Sequence, residues 1–129
     1  MKSNQEPKLF RLIDANLNRL KEGIRVVEDI ERYIFDNKTL ASRLKNLRHQ
    51  ATFKDERLLL YRDITNDVLK ESIPSELERE DIKTVLYANM KRSQEAARVL
   101  EEVMKIVDPK WSETFKSIRY ELYDIEKAL

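Results

Sequence analysis

Two asparagine and two arginine side chains interrupt apolar helical stripes, which makes them the first candidates for chemistry. In the stretch ANLNRLKEGIRVVEDIER, apolar residues recur at helical spacing, yet Asn16 and Arg19 lie on the same face. The stretch ANMKRSQEAARVLEEVMK places Asn89 and Arg92 at the matching positions. Burial of an amide or a guanidinium without partners costs on the order of several kcal/mol. We therefore predict that all four side chains are mostly buried and hydrogen-bonded.

The partners of these side chains can be internal or external. Within the protein, Glu22 and Glu95 follow the two arginines by three positions, and we expect them among the arginine partners. A ligand is the alternative, because arginine binds phosphate in fixed geometry and asparagine can read the edge of a heterocycle. Gly23 and Ala96 are small residues on the same faces, which lets two helices approach closely. The sequence leaves both kinds of partner open.

The elements that position these residues are long helices. The chain has one glycine and three prolines, too few for the many tight turns of an all-β protein. Pro74 and Pro109 each suit a first helical turn, and the stretch ITNDVLKESIP is the main irregular region. The spacing of apolar residues predicts helices over about residues 8–35, 39–53, 56–63, 74–107 and 109–128. The predicted fold class is therefore all-α.

The chain contains an internal duplication. An offset of 73 positions (89 − 16) matches Ala15 with Ala88, Asn16 with Asn89, Arg19 with Arg92, Glu22 with Glu95, Arg25 with Arg98, Val26 with Val99 and Glu28 with Glu101. A slightly shorter offset matches LKNLRH with FKSIRY, which pairs Arg48 with Arg119. We predict one domain, a helical bundle of two hairpins related by a pseudo-twofold axis. The repeats cover about residues 8–54 and 75–129, and an irregular connection covers 55–74.

Composition narrows the class of protein. With 129 residues the chain fits one domain with a single core. The 25 basic and 24 acidic side chains are interleaved and leave a net charge of +1, which argues against a nucleic-acid-binding protein. Cysteine is absent, and we find neither a secretory signal nor an apolar run approaching roughly 20 residues. We expect a soluble cytoplasmic protein that does not enter a membrane.

Other chemistry-bearing residues are fewer. Asp63 and Asp67 lie in the irregular region beside Arg62, where they either hold Mg²⁺ together with phosphate or cap helices. His49 takes the place that Tyr120 takes in the second repeat, which favours a packing role over a catalytic base. A single glycine cannot build a phosphate-binding P-loop, so any nucleotide phosphates must be bound by Lys, Arg and helix N-termini.

Five ordered segments resemble one family over nearly the whole chain: DANLNRLKEGIRVVED, LKNLRHQ, RDITNDV, ANMKRSQEAARVLEEV and FKSIRYELYDIE. The family is the monofunctional hydroxymethylpyrimidine phosphate kinase domain of bacterial thiamin biosynthesis, commonly fused in front of thiamin phosphate synthase. The resemblance implies transfer of the ATP γ-phosphoryl group to 4-amino-5-hydroxymethyl-2-methylpyrimidine phosphate, which gives the pyrophosphate. ATP and Mg²⁺ are the implied cofactors. The chain departs from the family where the family typically reads Gly-Asp-Val-Gly, because Asn66 and Leu69 replace the two glycines.

The resemblance also implies the site residues. It assigns substrate binding to Asn16, Arg19, Glu22, Arg48, Asn89, Arg92, Glu95 and Arg119, ATP binding to Arg62 and Arg79, and Mg²⁺ binding to Asp63 and Asp67. Several arginines suit phosphoryl transfer, which needs positioning and charge neutralisation more than covalent participation. The acceptor is itself a phosphate, so a strong general base is unnecessary.

A non-catalytic module is the alternative to a kinase. Such a module binds pyrimidine phosphate, or it dimerises and docks onto thiamin phosphate synthase. Homodimerisation is a separate expectation, because the apolar stripes of both long helices are wide and reach to Leu17 and Met90.

Overall fold

A computed structural model describes residues 5–129, apart from the side chains of residues 75 and 76. Its helices are α1 (Glu6–Tyr33), α2 (Lys38–Gln50), α3 (Glu56–Leu60), α4 (Pro74–Leu77), α5 (Ile82–Val107) and α6 (Pro109–Glu126). No strand forms anywhere in this described part of the chain, so the predicted all-α class is confirmed. Within the same residues, no helix is both long and apolar enough to cross a membrane.

Side-chain caps set the helix boundaries and correct one prediction. The Asp81 carboxylate accepts the Thr84 backbone N–H at 2.9 Å, so α5 begins at Ile82. The predicted continuous helix over residues 74–107 is therefore wrong, because α4 is a separate short helix and residues 78–81 lie between the two. Asp108 caps α6 as predicted, by accepting the Lys110 N–H.

Both helices of the first hairpin, α1 and α2, end earlier than the spacing of apolar residues predicts. α1 ends at Tyr33 rather than near residue 35, because Asp36 takes a left-handed backbone conformation with φ of 50°. The Asn37 side chain then accepts the Leu40 N–H and begins α2. α2 ends at Gln50 rather than near residue 53.

The bundle is built from two helical hairpins that share one core. α1 packs on α2, α5 packs on α6, and α1 and α5 form the central pair. The central helices run antiparallel, since the Lys83 ammonium near the start of α5 lies 4.8 Å from the Phe35 ring centroid just beyond the end of α1. Both hairpins contribute side chains with no exposed surface to the core, including Phe10, Ile13, Leu20, Ile24, Val27, Leu44, Leu86, Met90, Leu100, Met104, Phe115, Ile118 and Leu122.

The central helices approach closely at Gly23. A Cβ atom on Gly23 would lie 2.3 Å from the Ser93 Oγ and 3.0 Å from the Asn89 carbonyl oxygen. The buried Ser93 hydroxyl donates to that carbonyl at 3.0 Å and lies 3.4 Å from the Leu20 carbonyl oxygen of α1. Ser93 and Leu20 are 73 positions apart, so they are equivalent residues of the two repeats. Contact between equivalent residues places this crossing near the pseudo-twofold axis.

We predict that Gly23→Ala destabilises the protein by about 1–2 kcal/mol. Overpacking a tight contact costs roughly 1–3 kcal/mol, and the better helix propensity of Ala returns at most about 1 kcal/mol of that. Urea unfolding of Gly23→Ala, Ser93→Ala and the double variant measures the effect. The substitution should cost less in the Ser93→Ala background, where only the carbonyl contact at 3.0 Å stays tight. A single variant as stable as the unmodified protein would contradict this crossing.

Glu31 breaks the symmetry of the core. Its side chain is 3 % exposed, whereas the second repeat has the fully buried Met104 at the equivalent position. Burial raises the pKa of Glu31 above its ordinary value of 4.5, and the nearby Lys83 ammonium lowers it by less. The ionised carboxylate therefore opposes folding near neutral pH.

We predict that Glu31→Gln changes the free energy of unfolding more favourably at pH 7 than at pH 4, with the unmodified protein as the reference at each pH. The folded-state pKa is raised, so the favourable contribution of Glu31 is complete below pH 4.5 and is lost as the pH rises through the folded-state value. Chemical denaturation at both pH values measures the difference. The exposed Glu113→Gln variant serves as the control, and an equal stability change for Glu31→Gln at the two pH values would refute the argument.

Candidate functional site

A groove rich in cations runs along the exposed face of the central helix pair. It consists of two adjoining cavities of about 670 and 370 Å³, which share Asn16, Arg19 and Val99. We call it the basic groove. Its charged residues come from α1, α5 and the segment that follows α3, and they are Arg11, Asp14, Arg19, Arg62, Asp63, Asp67, Lys70, Lys91, Arg92 and Glu95. Cations outnumber carboxylates, so the groove suits an anionic ligand.

The two asparagines are held by their own helices. The Asn16 amide nitrogen donates to the Leu12 carbonyl at 2.9 Å, and the Asn89 amide nitrogen donates to the Val85 carbonyl at 2.9 Å. Asn16 is buried, as predicted, and lines the basic groove. Asn89 is half-buried and does not line the groove. These bonds leave the amide oxygen of Asn16 as an acceptor for a ligand.

The predicted burial of Arg19 and Arg92 is wrong. Both side chains are exposed, and neither forms an ion pair with Glu22, Glu95 or any other carboxylate that the structure describes. A long arginine side chain at the edge of an apolar stripe carries its charged end into water, so the helical wheel alone overestimates its burial. The two arginines stand at equivalent positions of the repeats, and both line the basic groove. Guanidinium groups that have no carboxylate partner in the described part of the chain are available to phosphate.

Arg62 connects the segment after α3 to the central helix pair. Its Nε and one terminal nitrogen donate to the two Asp14 carboxylate oxygens at 2.7 and 2.6 Å. Asp14 is buried, whereas the Arg62 side chain is 43 % exposed. The bidentate bond raises the pKa of Arg62, and its guanidinium stays charged. Asp14 therefore fixes Arg62 at the wall of the basic groove.

Asp63 and Asp67 lie together at the same groove. The Asp63 carboxylate accepts the backbone N–H groups of Thr65 and Asn66 at 3.0 Å and the Asn66 amide at 2.7 Å. The Asn66 bonds hold the pKa of Asp63 below its usual value, so this carboxylate is ionised near neutral pH. Asp67 accepts the Leu69 N–H at 3.0 Å. Left-handed backbone occurs at Asp36 alone among the non-glycine residues described, so Asn66 and Leu69 occupy their positions without backbone strain.

The two carboxylates fit Mg²⁺ that is also bound by phosphate. Among the described residues, no cluster of three or more His, Asp or Glu side chains is arranged to hold a metal ion alone. Mg²⁺ usually takes one or two protein carboxylates and completes its shell with phosphate oxygens and water. Asp63 and Asp67 both line the 670 Å³ cavity, where a nucleotide phosphate has room beside them.

Arg48 and Arg119 lie outside the basic groove, in matching internal ion pairs. The Arg48 Nε donates to Glu28 at 2.8 Å, and the Arg119 Nε donates to Glu101 at 2.8 Å. Glu28 and Glu101 are buried, and the bonds raise the pKa of each arginine. Each pair joins the two helices of one hairpin, since Glu28 and Arg48 lie on α1 and α2 and their equivalents lie on α5 and α6. These arginines are already neutralised and do not line the groove.

Two other predicted residues also lie apart from the groove. Arg79 is exposed between α4 and α5 and donates to the Glu78 carbonyl at 2.7 Å. Glu22 is exposed on α1 and does not line either cavity of the groove. Of the twelve residues assigned from sequence, the structure gathers seven at the groove: Asn16, Arg19, Arg62, Asp63, Asp67, Arg92 and Glu95.

Sequence reasoning missed four charged residues of the groove, Arg11, Asp14, Lys70 and Lys91. Asp14 had a usable signal, because it stands in the quoted segment DANLNR at a position where the second repeat has Tyr87. A carboxylate on the buried side of a helix needs a partner. Its partner, Arg62, is 48 positions away, a distance that helical periodicity does not relate.

The fold and the site define a class of protein, a small helical domain with a basic groove that contains two aspartates from the connection between its hairpins. Residues 11–128 match the ThiD2 family, and the chain belongs to that family. Relatives named thiamine-phosphate synthase include those of Synechocystis sp., with 40% identity over 94% of this chain, and Synechococcus sp., with 41% identity over 94%. The relative of the same name from Thermosynechococcus vestitus is 38% identical over 98% of this chain.

The matched region is a minor part of those relatives. The chain spans 36% of the Synechocystis protein, 35% of the Synechococcus protein and 37% of the Thermosynechococcus protein. No solved structure matches the chain significantly. The candidate site residues are therefore chosen from the geometry of the basic groove.

We predict that Arg119→Met destabilises the protein by about 2 kcal/mol, because it removes the more buried of the two arginine partners of Glu101 and leaves that buried carboxylate only the exposed Arg98. Arg43→Met is the matched control, since Arg43 bonds the more exposed Glu121 and Asp124 and its loss should cost less than about 1 kcal/mol. Urea unfolding measures both. An Arg119→Met variant of unchanged stability that no longer binds pyrimidine phosphate would show that this arginine is a ligand clamp instead.

Proposed function

We propose that this chain is a kinase of thiamin biosynthesis, which transfers the γ-phosphoryl group of ATP to 4-amino-5-hydroxymethyl-2-methylpyrimidine phosphate. The observation that carries the proposal is one groove that holds Asp63 and Asp67 together with Arg19 and Arg92, two arginines that have no carboxylate partner among the described residues. Membership of the ThiD2 family and the names of the relatives support the pathway.

The roles follow from the charges that each residue presents. Arg19 and Arg92 bind phosphate oxygens of donor and acceptor, and Lys70 and Lys91 add positive charge at the two ends of the groove. Asn16 accepts a hydrogen bond from the ligand through its amide oxygen, since its amide nitrogen is bound to Leu12. Arg62, held by Asp14, contributes the charge of a guanidinium with a fixed position. This set positions two anions that would otherwise repel each other.

The chemical step needs little beyond this positioning. An oxygen of the acceptor phosphate forms the new bond to the γ-phosphorus, the bond from that phosphorus to the β,γ-bridging oxygen breaks, and ADP leaves with the electron pair. The acceptor oxygen is already ionised near neutral pH, so no protein group has to remove a proton. Asp63 and Asp67 would hold Mg²⁺, which supplies charge neutralisation on the transferred group.

A non-catalytic module is the second candidate, favoured by the apolar surface of the connection between the hairpins. Its large exposed apolar side chains are Leu59, Leu60, Ile64, Val68, Leu69, Ile73 and Leu77. Exposed apolar surface on this scale is typical of an interaction site. The synthase part of a longer protein or a second copy of this chain would cover it, and homodimerisation stays a prediction.

We predict that the purified protein with ATP and Mg²⁺ releases ADP with the pyrimidine phosphate and at least tenfold more slowly with the free pyrimidine alcohol. The alcohol lacks the anionic phosphate that the arginines bind, and it needs a base to ionise its hydroxyl. A coupled assay of ADP compares the acceptors. Equal rates would refute the selectivity, and no ADP with either acceptor despite binding would favour the non-catalytic module.

Matched variants locate the activity in the groove. Arg19→Met and Arg92→Met should lower kcat/KM by about 30-fold or more, the loss expected when roughly 2 kcal/mol of phosphate binding disappears. Arg32→Met is the control, because Arg32 is exposed on α1 and lies outside the groove. Both groove arginines are exposed, so thermal unfolding of the variants should stay unchanged.

A further inference from the structure

A third cavity adjoins the two cavities of the basic groove. It has a volume of about 350 Å³ and lies between α1, the chain after α2, and α3; we call it the α3 cavity. Its apolar lining comprises Leu17, Ala51, Phe53, Leu58 and Leu59. The rest of its lining is polar or charged: Asp14, Asn18, Lys21, Lys54, Asp55 and Arg62. The α3 cavity therefore offers one ligand both an apolar wall and hydrogen-bonding groups.

The Asp14–Arg62 ion pair stands between the two cavities. Asp14, Asn18 and Arg62 line both the α3 cavity and the 670 Å³ cavity of the basic groove. A ligand in the α3 cavity is therefore adjacent to the cations of the groove. The Asn18 amide nitrogen is 3.5 Å from an Asp14 carboxylate oxygen, which leaves the amide oxygen for a ligand donor.

The wall of the α3 cavity is held in place before any ligand binds. The Asp55 carboxylate accepts the backbone N–H of Arg57 at 2.9 Å and its guanidinium at 2.9 and 2.7 Å. The Arg57 guanidinium also donates to Glu6 and lies 4.0 Å from the Phe10 ring centroid. The Phe53 ring packs edge-on against Trp111, with centroids 5.5 Å apart. A fixed apolar wall lowers the entropic cost of ligand binding.

We propose that the α3 cavity binds the planar aminopyrimidine ring of a substrate while its phosphates lie in the basic groove, an inference that rests on the proposed function. Both substrates carry this chemistry, since adenine contains an aminopyrimidine ring. The apolar lining covers the ring faces, and the Asn18 amide oxygen accepts from the exocyclic amino group. A volume of 350 Å³ is within the usual range for a small-ligand site.

Binding of separate probes to the methyl-labelled full chain tests the placement by NMR. Adenosine and the pyrimidine phosphate should each shift methyl signals of Leu17, Leu58 and Leu59, because an aromatic ring changes the field at its neighbours. Inorganic pyrophosphate should instead shift methyl signals of Ile64 and Val99 in the basic groove. A response in the α3 cavity to only one of the two ring compounds would identify which substrate uses it.

Two exposed leucines provide matched variants. Leu59 and Leu60 are each 70 % exposed on α3, but only Leu59 lines the cavity. Leu59→Ala should weaken binding of the ring compound three- to tenfold and leave pyrophosphate binding unchanged, whereas Leu60→Ala should change neither. Ring compounds that shift Ile64 and Val99 without Leu17, Leu58 and Leu59 would overturn the α3 placement and leave the proposed function standing. Absence of binding by every probe would overturn both.

Discussion

The contact between the two central helices at Gly23 determines the rest of the structure. Without a side chain at Gly23, the Ser93 hydroxyl reaches both the Asn89 and the Leu20 carbonyls, and the helices approach closely. Because Leu20 and Ser93 are equivalent residues, this contact relates the two repeats to each other. It also sets the separation of Arg19 and Arg92, which are both exposed on the two central helices. The width of the basic groove therefore depends on the absence of one Cβ atom.

Residues shared by the two repeats build the scaffold, whereas residues that differ between the repeats complete the candidate site. Each hairpin repeats the same buried carboxylate and the same arginine partner, in Glu28 with Arg48 and in Glu101 with Arg119. The site instead uses Asp14, whose equivalent is Tyr87, and a connection that follows only the first hairpin. α3 and the Asp63 turn belong to that connection, and Arg62 joins this segment to Asp14 in the first half of α1. The asymmetry of the candidate site thus leaves the two equivalent buried ion pairs intact.

The sequence predicts the class, the hairpins and the close helix crossing, because periodicity and the 73-residue offset report directly on helix faces. It fails at the start of α5, because Pro74 begins only the short helix α4 and the Asp81 cap starts a separate helix at Ile82. It fails again at Arg19 and Arg92, since a helical wheel gives the direction of a side chain but not its length. The Asp14–Arg62 ion pair was not predicted, because a contact between residues far apart in the sequence has no periodic pattern.

The arginines differ in whether a carboxylate of the protein already binds them. This difference distinguishes arginines that join helices from those that are candidates for ligand binding. Arg48 and Arg119 have buried carboxylate partners, so their binding capacity is used within the hairpins. Arg62 is intermediate, because Asp14 occupies one edge of the guanidinium while 43 % of the side chain stays exposed. Arg19 and Arg92 have no described carboxylate partner, and their charges repel Lys91 and each other at the same groove. Water screens that repulsion in the free protein because the side chains are exposed, so these charges cost the fold little and favour an anionic ligand.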